Sequence, residues 1–145
     1  MTRNGNRASD APMSEVRFAR VAIEAVAHAL PEERVRTESL ERDLEVLYRS
    51  IGLKPGLVEN LTGVSERRLW PRDTGPAEAA TLAARAALEK SAIPPERLGA
   101  LVFTGVSRDL LEPSTASLVH GALGLGPGCL NFDVSNACLG FLTGV

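Results

Sequence analysis

Cys138 is the side chain of this sequence best placed for chemistry. It follows Phe132 to Val134, a short apolar run of buried-strand type, across a small polar turn, and the residues after it read as the start of a helix. A thiol placed there meets the positive end of a helix dipole, which favours thiolate. Ser135, Ala137 and Gly140 are small and leave room for a substrate. Strand, nucleophile and helix in that order follow the logic of a hydrolase elbow, although the GxSxG pattern itself is absent. Taken alone, these residues leave two roles open for Cys138: nucleophile, or small buried hydrophobe. Cys129 lacks such a placement and reads as structural.

Glu112 is the second candidate. Leu111 and Pro113 hold it rigidly in partly apolar surroundings, which suits a carboxylate to proton transfer. It also stands just ahead of a helix, and locally its better reading is an acid that favours that helix's dipole. Arg67 and Arg68 are adjacent and could together hold a phosphate or carboxylate; the competing reading is a pair of surface arginines. Trp70 reads as an interface or core anchor. His28 and His120 read as packed or hydrogen-bonded histidines.

Several elements must position these groups. Residues 1–14, rich in Asn, Arg, Ser and Gly, read as a disordered tail, with the folded region over 15–145. Residues 18–29 alternate loosely and read as a largely buried strand. Thr37 can cap a helix that carries Leu40, Leu44, Leu47 and Ile51 at helical spacing, with Glu41, Arg42, Asp43, Glu45 and Arg49 on its wet face and Gly52 at its end. Residues 53–73 read as irregular. Pro76 opens an alanine-rich helix to about Ser91. Leu101 to Phe103 is a buried-strand run. Ser114 or Thr115 begins another helix through Leu123, and Gly124 to Gly128 is a turn without the GxGxxG or GKS/T pattern of phosphate loops. Strands alternating with helices at crossover lengths imply an α/β fold with a mainly parallel sheet.

Composition narrows the function. The 145 residues are 44% hydrophobic and 23% charged, a globular balance, and the formal charge of −2 offers no basic field for nucleic acid. Two cysteines without CxxC or Cys/His spacing argue against a zinc site or a disulfide framework and suit a reducing cytoplasm. There is no apolar run long enough to span a membrane. The polar first ten residues do not read as a signal peptide.

The segment Phe132-Asp133-Val134-Ser135-Asn136-Ala137-Cys138-Leu139-Gly140-Phe141 resembles the nucleophile region of the thiolase superfamily, in its ketoacyl-ACP synthase III branch. Leu30-Pro31-Glu32 with Val35 and Thr37, Thr62-Gly63-Val64 with Arg67-Arg68, and Glu112-Pro113-Ser114-Thr115-Ala116-Ser117 follow in the expected order. Within the branch, Arg67-Arg68-Leu69-Trp70, Ser107-Arg108-Asp109, Leu111 to Ser117 and Asn136 to Leu139 are most similar to the OleA-type acyl-CoA condensing enzymes of β-lactone and long-chain olefin pathways.

The resemblance implies the N-terminal half of a layered α/β/α thiolase-like fold. It also implies a non-decarboxylative, head-to-head Claisen condensation of two fatty acyl-CoAs to a β-keto acid. Cys138 takes the first acyl group as a thioester. Glu112 serves as base across a dimer interface, which reverses its local reading. No cofactor is implied beyond the coenzyme A thioester substrates. A malonyl-ACP-dependent synthase III makes its carbanion by decarboxylation and needs no such base, so Glu112 separates the two enzymes. A third possibility is a non-catalytic subunit paired with an active homologue, so the implied dimer is homomeric or heteromeric. Many synthase III enzymes sandwich the CoA adenine between Trp and Arg; here the matching residues are Leu57 and Leu61. The family's catalytic His and Asn come from its second half. Neither His28 nor His120 stands in a replacing motif, and the expectation is one piece of a larger condensing enzyme.

Overall fold

The computed structural model describes residues 20–145; the expected tail over 1–14 and the first two residues of the expected strand over 18–29 lie outside them. The alanine-rich stretch forms the longest helix among the described residues, α4 (Pro76–Lys90), with proline in its first turn as expected. Proline fixes φ where no N–H is needed, and the alanines lose no side-chain entropy on ordering.

The apolar runs flanking the helix expected from Ser114 or Thr115 form β3 (Ala100–Phe103) and β4 (Leu130–Asp133). They pair in parallel, with Ala100 opposite Leu130 and Phe103 opposite Asp133. Parallel neighbours require a crossover, and α5 (Thr115–Leu123) supplies it. Ser114 caps α5, its side chain accepting from the Ser117 N–H at 3.1 Å. Gly124 ends the helix in the left-handed conformation (φ +66°). α5 packs on both strands, and α4 packs on α5. Ala116, Val119, Leu125 and Cys129 are buried here, so Cys129 is structural, as expected.

The first part of the chain departs from the sequence-based expectation. Residues 20–30 form no strand. Ala25, Ala27 and Ala29 are half-buried at strand-like alternation, but Val21, Ile23 and Val26 are more than two-thirds exposed and no neighbouring strand offers a ladder. The expected single helix over 37–51 is two helices, α1 (Thr37–Asp43) and α2 (Glu45–Ser50), broken at Leu44.

Thr37 is not a cap. It is the first helical residue and is buried, its hydroxyl donating to the Val64 carbonyl at 2.5 Å. Glu41, expected on the wet face, is buried, while Leu44, Leu47 and Ile51 are exposed. The 53–73 region holds a helix and a strand rather than irregular chain: α3 (Leu57–Thr62) and β2 (Glu66–Leu69). β2 pairs antiparallel with β1 (Glu33–Arg36), a ribbon that periodicity over four residues cannot reveal. The last helix is α6 (Gly140–Gly144). No helix among the described residues is long and apolar enough to cross a membrane.

Candidate active site

β4 ends at Asp133, and one more ladder bond, from the Val134 N–H to the Phe103 carbonyl at 2.8 Å, carries the chain past the sheet. A short 3₁₀ turn, Ala137–Leu139, then presents Cys138, which is exposed, immediately before α6. Among the described residues Ala137 is the single non-glycine with positive φ, +42°. Such a conformation costs about 1–3 kcal/mol and persists only where the surroundings impose it. Strand, strained turn, exposed thiol and helix therefore follow one another in the order read from the sequence. Asn136 Nδ2 donates to Thr143 Oγ1 at 2.9 Å, and that hydroxyl donates to the Leu139 carbonyl at 3.0 Å, so the turn is clasped from both sides of the thiol.

α6 is seated on the end of β3 through its glycines. A Cβ added at Gly140 would stand 2.6 Å from the Thr104 carbonyl oxygen, and one at Gly144 would stand 2.5 Å from Thr104 Cγ2. Any larger residue at either position must push the helix, and with it the nucleophile turn, off the sheet.

Glu112 lies in the loop between β3 and α5. β3 and β4 are parallel, so this loop and the Cys138 turn both leave the carboxyl end of the same sheet, where open α/β sheets bind their ligands. Glu112 is exposed, as is Leu111 at 88%. The partly apolar enclosure expected around it is therefore not formed within this chain. What fixes the loop is the far end of β4. Asp133 accepts from the Thr115 N–H (Oδ2, 2.9 Å) and from the Ala116 N–H (Oδ1, 2.8 Å), the first two amides of α5. A carboxylate on helix N-terminal amides makes charge-assisted hydrogen bonds of about 1.5–3 kcal/mol each. Sequence reasoning passed over Asp133; its signal was an acid closing an apolar strand beside the nucleophile segment.

Arg67 and Arg68 do not converge. They are successive residues of β2, so their side chains leave opposite faces. Arg67 Nη1 donates to Thr37 Oγ1 at 2.7 Å, and Arg68 Nη1 donates to the Pro31 carbonyl at 2.8 Å. Both serve to hold the ribbon in place, and the expectation of a paired anion site is corrected on that ground. His120 Nε2 lies 3.2 Å from the Gly126 carbonyl, a local structural contact, whereas His28 is exposed rather than packed. Trp70 is half-buried beside Leu30, Pro31 and Leu82 in a hollow of about 740 Å³. Among the described residues no group of three His, Cys, Asp or Glu side chains could hold a metal.

No protein-family model matches the chain. It is 41% identical over 128 residues to the acyl-CoA:acyl-CoA alkyltransferase of Xanthomonas campestris, covering 88% of this chain and 38% of that protein. It is 33% identical over 123 residues to the β-ketoacyl-[acyl-carrier-protein] synthase III of Natranaerobius thermophilus, covering 85% of this chain and 35% of that protein. A crystal structure of a Xanthomonas campestris OleA variant superposes with a TM-score of 0.76 at 41% identity, over 84% of this chain and 37% of that one. The 3-oxoacyl-(acyl carrier protein) synthase III (FabH) of Xanthomonas oryzae superposes with a TM-score of 0.77 at 43% identity, over 84% of this chain and 36% of that one. The chain thus spans little more than a third of the length of the relatives it matches. Over that span its homologues are the OleA alkyltransferases and the synthase III enzymes, and it shares their thiolase-like fold.

Proposed function

We propose that this chain supplies the nucleophile-bearing part of an acyl-CoA condensing enzyme that joins two fatty acyl-CoAs head to head without decarboxylation. The observation that carries this reading is the exposed Cys138 on a strained turn at the same sheet end as the Glu112 loop. Likeness to an acyl-CoA:acyl-CoA alkyltransferase supports the substrate class.

In the first half-reaction the Cys138 thiolate attacks the thioester carbonyl of one acyl-CoA. Its C–S bond to coenzyme A breaks, coenzyme A leaves as thiolate and takes a proton from water, and the acyl group remains on Sγ. In the second, the Glu112 carboxylate, reaching the site of a partner subunit, takes an α-proton from a second acyl-CoA. The resulting carbanion attacks the acyl-Cys138 carbonyl and expels the thiolate. Water then cleaves the remaining CoA thioester to give the β-keto acid. The family's His and Asn would polarise the carbonyls from outside this chain. Such a product suits a β-lactone or long-chain olefin pathway.

Intact-mass spectrometry of the assembled enzyme mixed with myristoyl-CoA is expected to show one acyl adduct, absent in Cys138→Ala. An adduct on Cys138→Ala overturns the assignment. Cerulenin is bound in a Xanthomonas campestris OleA structure, and pretreatment with it should block the adduct. Glu112→Ala should acylate but not condense. A second reading, a malonyl-ACP-dependent synthase III, draws on the likeness to the Xanthomonas oryzae enzyme. A requirement for malonyl-ACP with release of CO2, and indifference to Glu112→Ala, would select it.

A further inference from the structure

Asp133 directly ties the two candidate catalytic segments together. It closes β4, opposite Phe103 of β3, and stands five positions before Cys138 on the same strand and turn. Each of its carboxylate oxygens accepts one α5 amide, at 2.9 Å from the Thr115 N–H and 2.8 Å from the Ala116 N–H. Thr115 is three positions after Glu112, and the residues between them have little freedom. Pro113 has a ring-fixed φ, and Ser114 is held by its capping bond to Ser117. Thr115 and Ala116 are themselves buried, so their amides have no water to turn to if the carboxylate is withdrawn.

We propose that Asp133 is the positioning residue that sets where Glu112 stands relative to Cys138. This rests on the condensing reading for its functional consequence, though not for its structural one. Asp133 touches neither substrate nor the reacting atoms. It fixes the root of the Glu112 loop to the strand that carries the thiol. The loop tip, with Glu112 and Leu111 exposed, is free to reach into a neighbouring subunit, but from a root whose distance and orientation to Cys138 are fixed. In a two-fold dimer the same root sets the reach of each glutamate into the opposite site. An asparagine at 133 keeps the shape and one acceptor but loses the charge and the second acceptor. A proline at 115 removes one donor while suiting the first position of α5, because Ser114 already has the extended backbone (φ −59°, ψ 151°) that a residue before proline requires.

The test measures two half-reactions and one structural property in the assembled enzyme, for wild type, Asp133→Asn and Thr115→Pro. Acylation of Cys138 by myristoyl-CoA is followed by intact mass in single turnover. Condensation is followed as kcat at saturating acyl-CoA. Amide exchange is followed in peptides covering residues 110–118 and, as a reference, β3. Both variants should acylate within about threefold of wild type, condense at least tenfold more slowly with KM little changed, and exchange at least tenfold faster over 110–118 with β3 protection unchanged. Unchanged exchange over 110–118 in both variants overturns the proposal, whatever the activity. So does a parallel fall of acylation and condensation, which a merely structural role would give. If wild type itself forms no Cys138 adduct, the condensing reading fails, and the exchange data still decide the positioning role.

Discussion

Two residues show how closely this chain is fitted around its nucleophile turn and its buried acid. Gly140 stands two positions after Cys138, where a Cβ would lie 2.6 Å from the Thr104 carbonyl oxygen. That oxygen is backbone at the end of β3 and cannot swing aside. Gly140→Ala is therefore expected to cost about 1–3 kcal/mol, the usual range for overpacking. Because the strain falls on the helix that follows Cys138, it should also slow acylation more than a surface substitution of equal destabilisation does. Chemical denaturation and the mass assay together check both parts.

Glu41 is 5% exposed, with Oε2 accepting from the Gly56 N–H at 2.6 Å and Oε1 from the Val58 N–H at 2.8 Å. Glu41→Ala leaves two amides short of partners and should cost about 1–3 kcal/mol per lost bond, less where water enters. Tyr48 packs beside it. Burial, then the nearby Glu41 charge and the hydrogen bond to it, hold the Tyr48 phenol above its ordinary 10.0. The folded state thus favours the neutral phenol. The stabilisation is complete below pH 10 and is lost as pH rises through the folded value. A denaturation series from pH 8 to 11 should fall at its alkaline end, and Tyr48→Phe should flatten that fall.

At the scale of elements, one device recurs three times. Helix N-terminal amides of α3, α4 and α5 each receive a carboxylate from a segment remote in sequence: Glu41 for α3, Asp109 for α4 and Asp133 for α5. Asp109 accepts from the Ala77 N–H at 2.9 Å, and its carboxylate lies close over Gly75. Asp109→Ala should therefore weaken the α4 start by about 1 kcal/mol, as loss of an ordinary cap does. The readout is earlier amide exchange in residues 76–80.

These links also mark what the sequence could and could not convey. α4, α5 and the β3–β4 strands were legible because each is a local pattern: alanine propensity, a Ser cap, an apolar run of strand length. The nucleophile turn was legible from small residues after such a run. The ribbon β1–β2, the break at Leu44 and the inward turn of Glu41 were not. The ribbon pairs residues 30 or more positions apart and Glu41 turns in toward amides 15 and 17 positions on, and over four to seven residues the local pattern carries no preference strong enough to announce either. The strand expected over 18–29 had the right alternation and no ladder to join within the described residues.

At the scale of the whole molecule, the apolar surface is distributed in a way that bears on the proposed role. The buried hydrophobic set is small: Tyr48, Ala116, Val119, Leu125 and Cys129. Phe141 (65%) and Leu142 (71%) beside the candidate site are exposed, Leu111 extends from the Glu112 loop, and Leu130 (67%) is exposed at the opposite end of β4. Burying one such side chain is worth about 1.5–3 kcal/mol, so four of them left in water forgo a stabilisation comparable to that of a whole domain. Soluble monomers rarely expose apolar surface so densely. The relatives are far longer than the span they share with this chain, and the assembly proposed above would cover these faces with residues beyond that span. The 145-residue chain expressed alone should consequently bind a hydrophobic dye strongly, self-associate, and unfold without a sharp transition. The same residues within the assembled enzyme should do none of these. Leu142→Lys and Leu130→Lys separate this from simple instability. They should improve solubility of the chain alone and impair assembly with the remainder of the enzyme. A monomeric 145-residue chain with a cooperative thermal transition and no dye binding would show that its apolar faces need no cover.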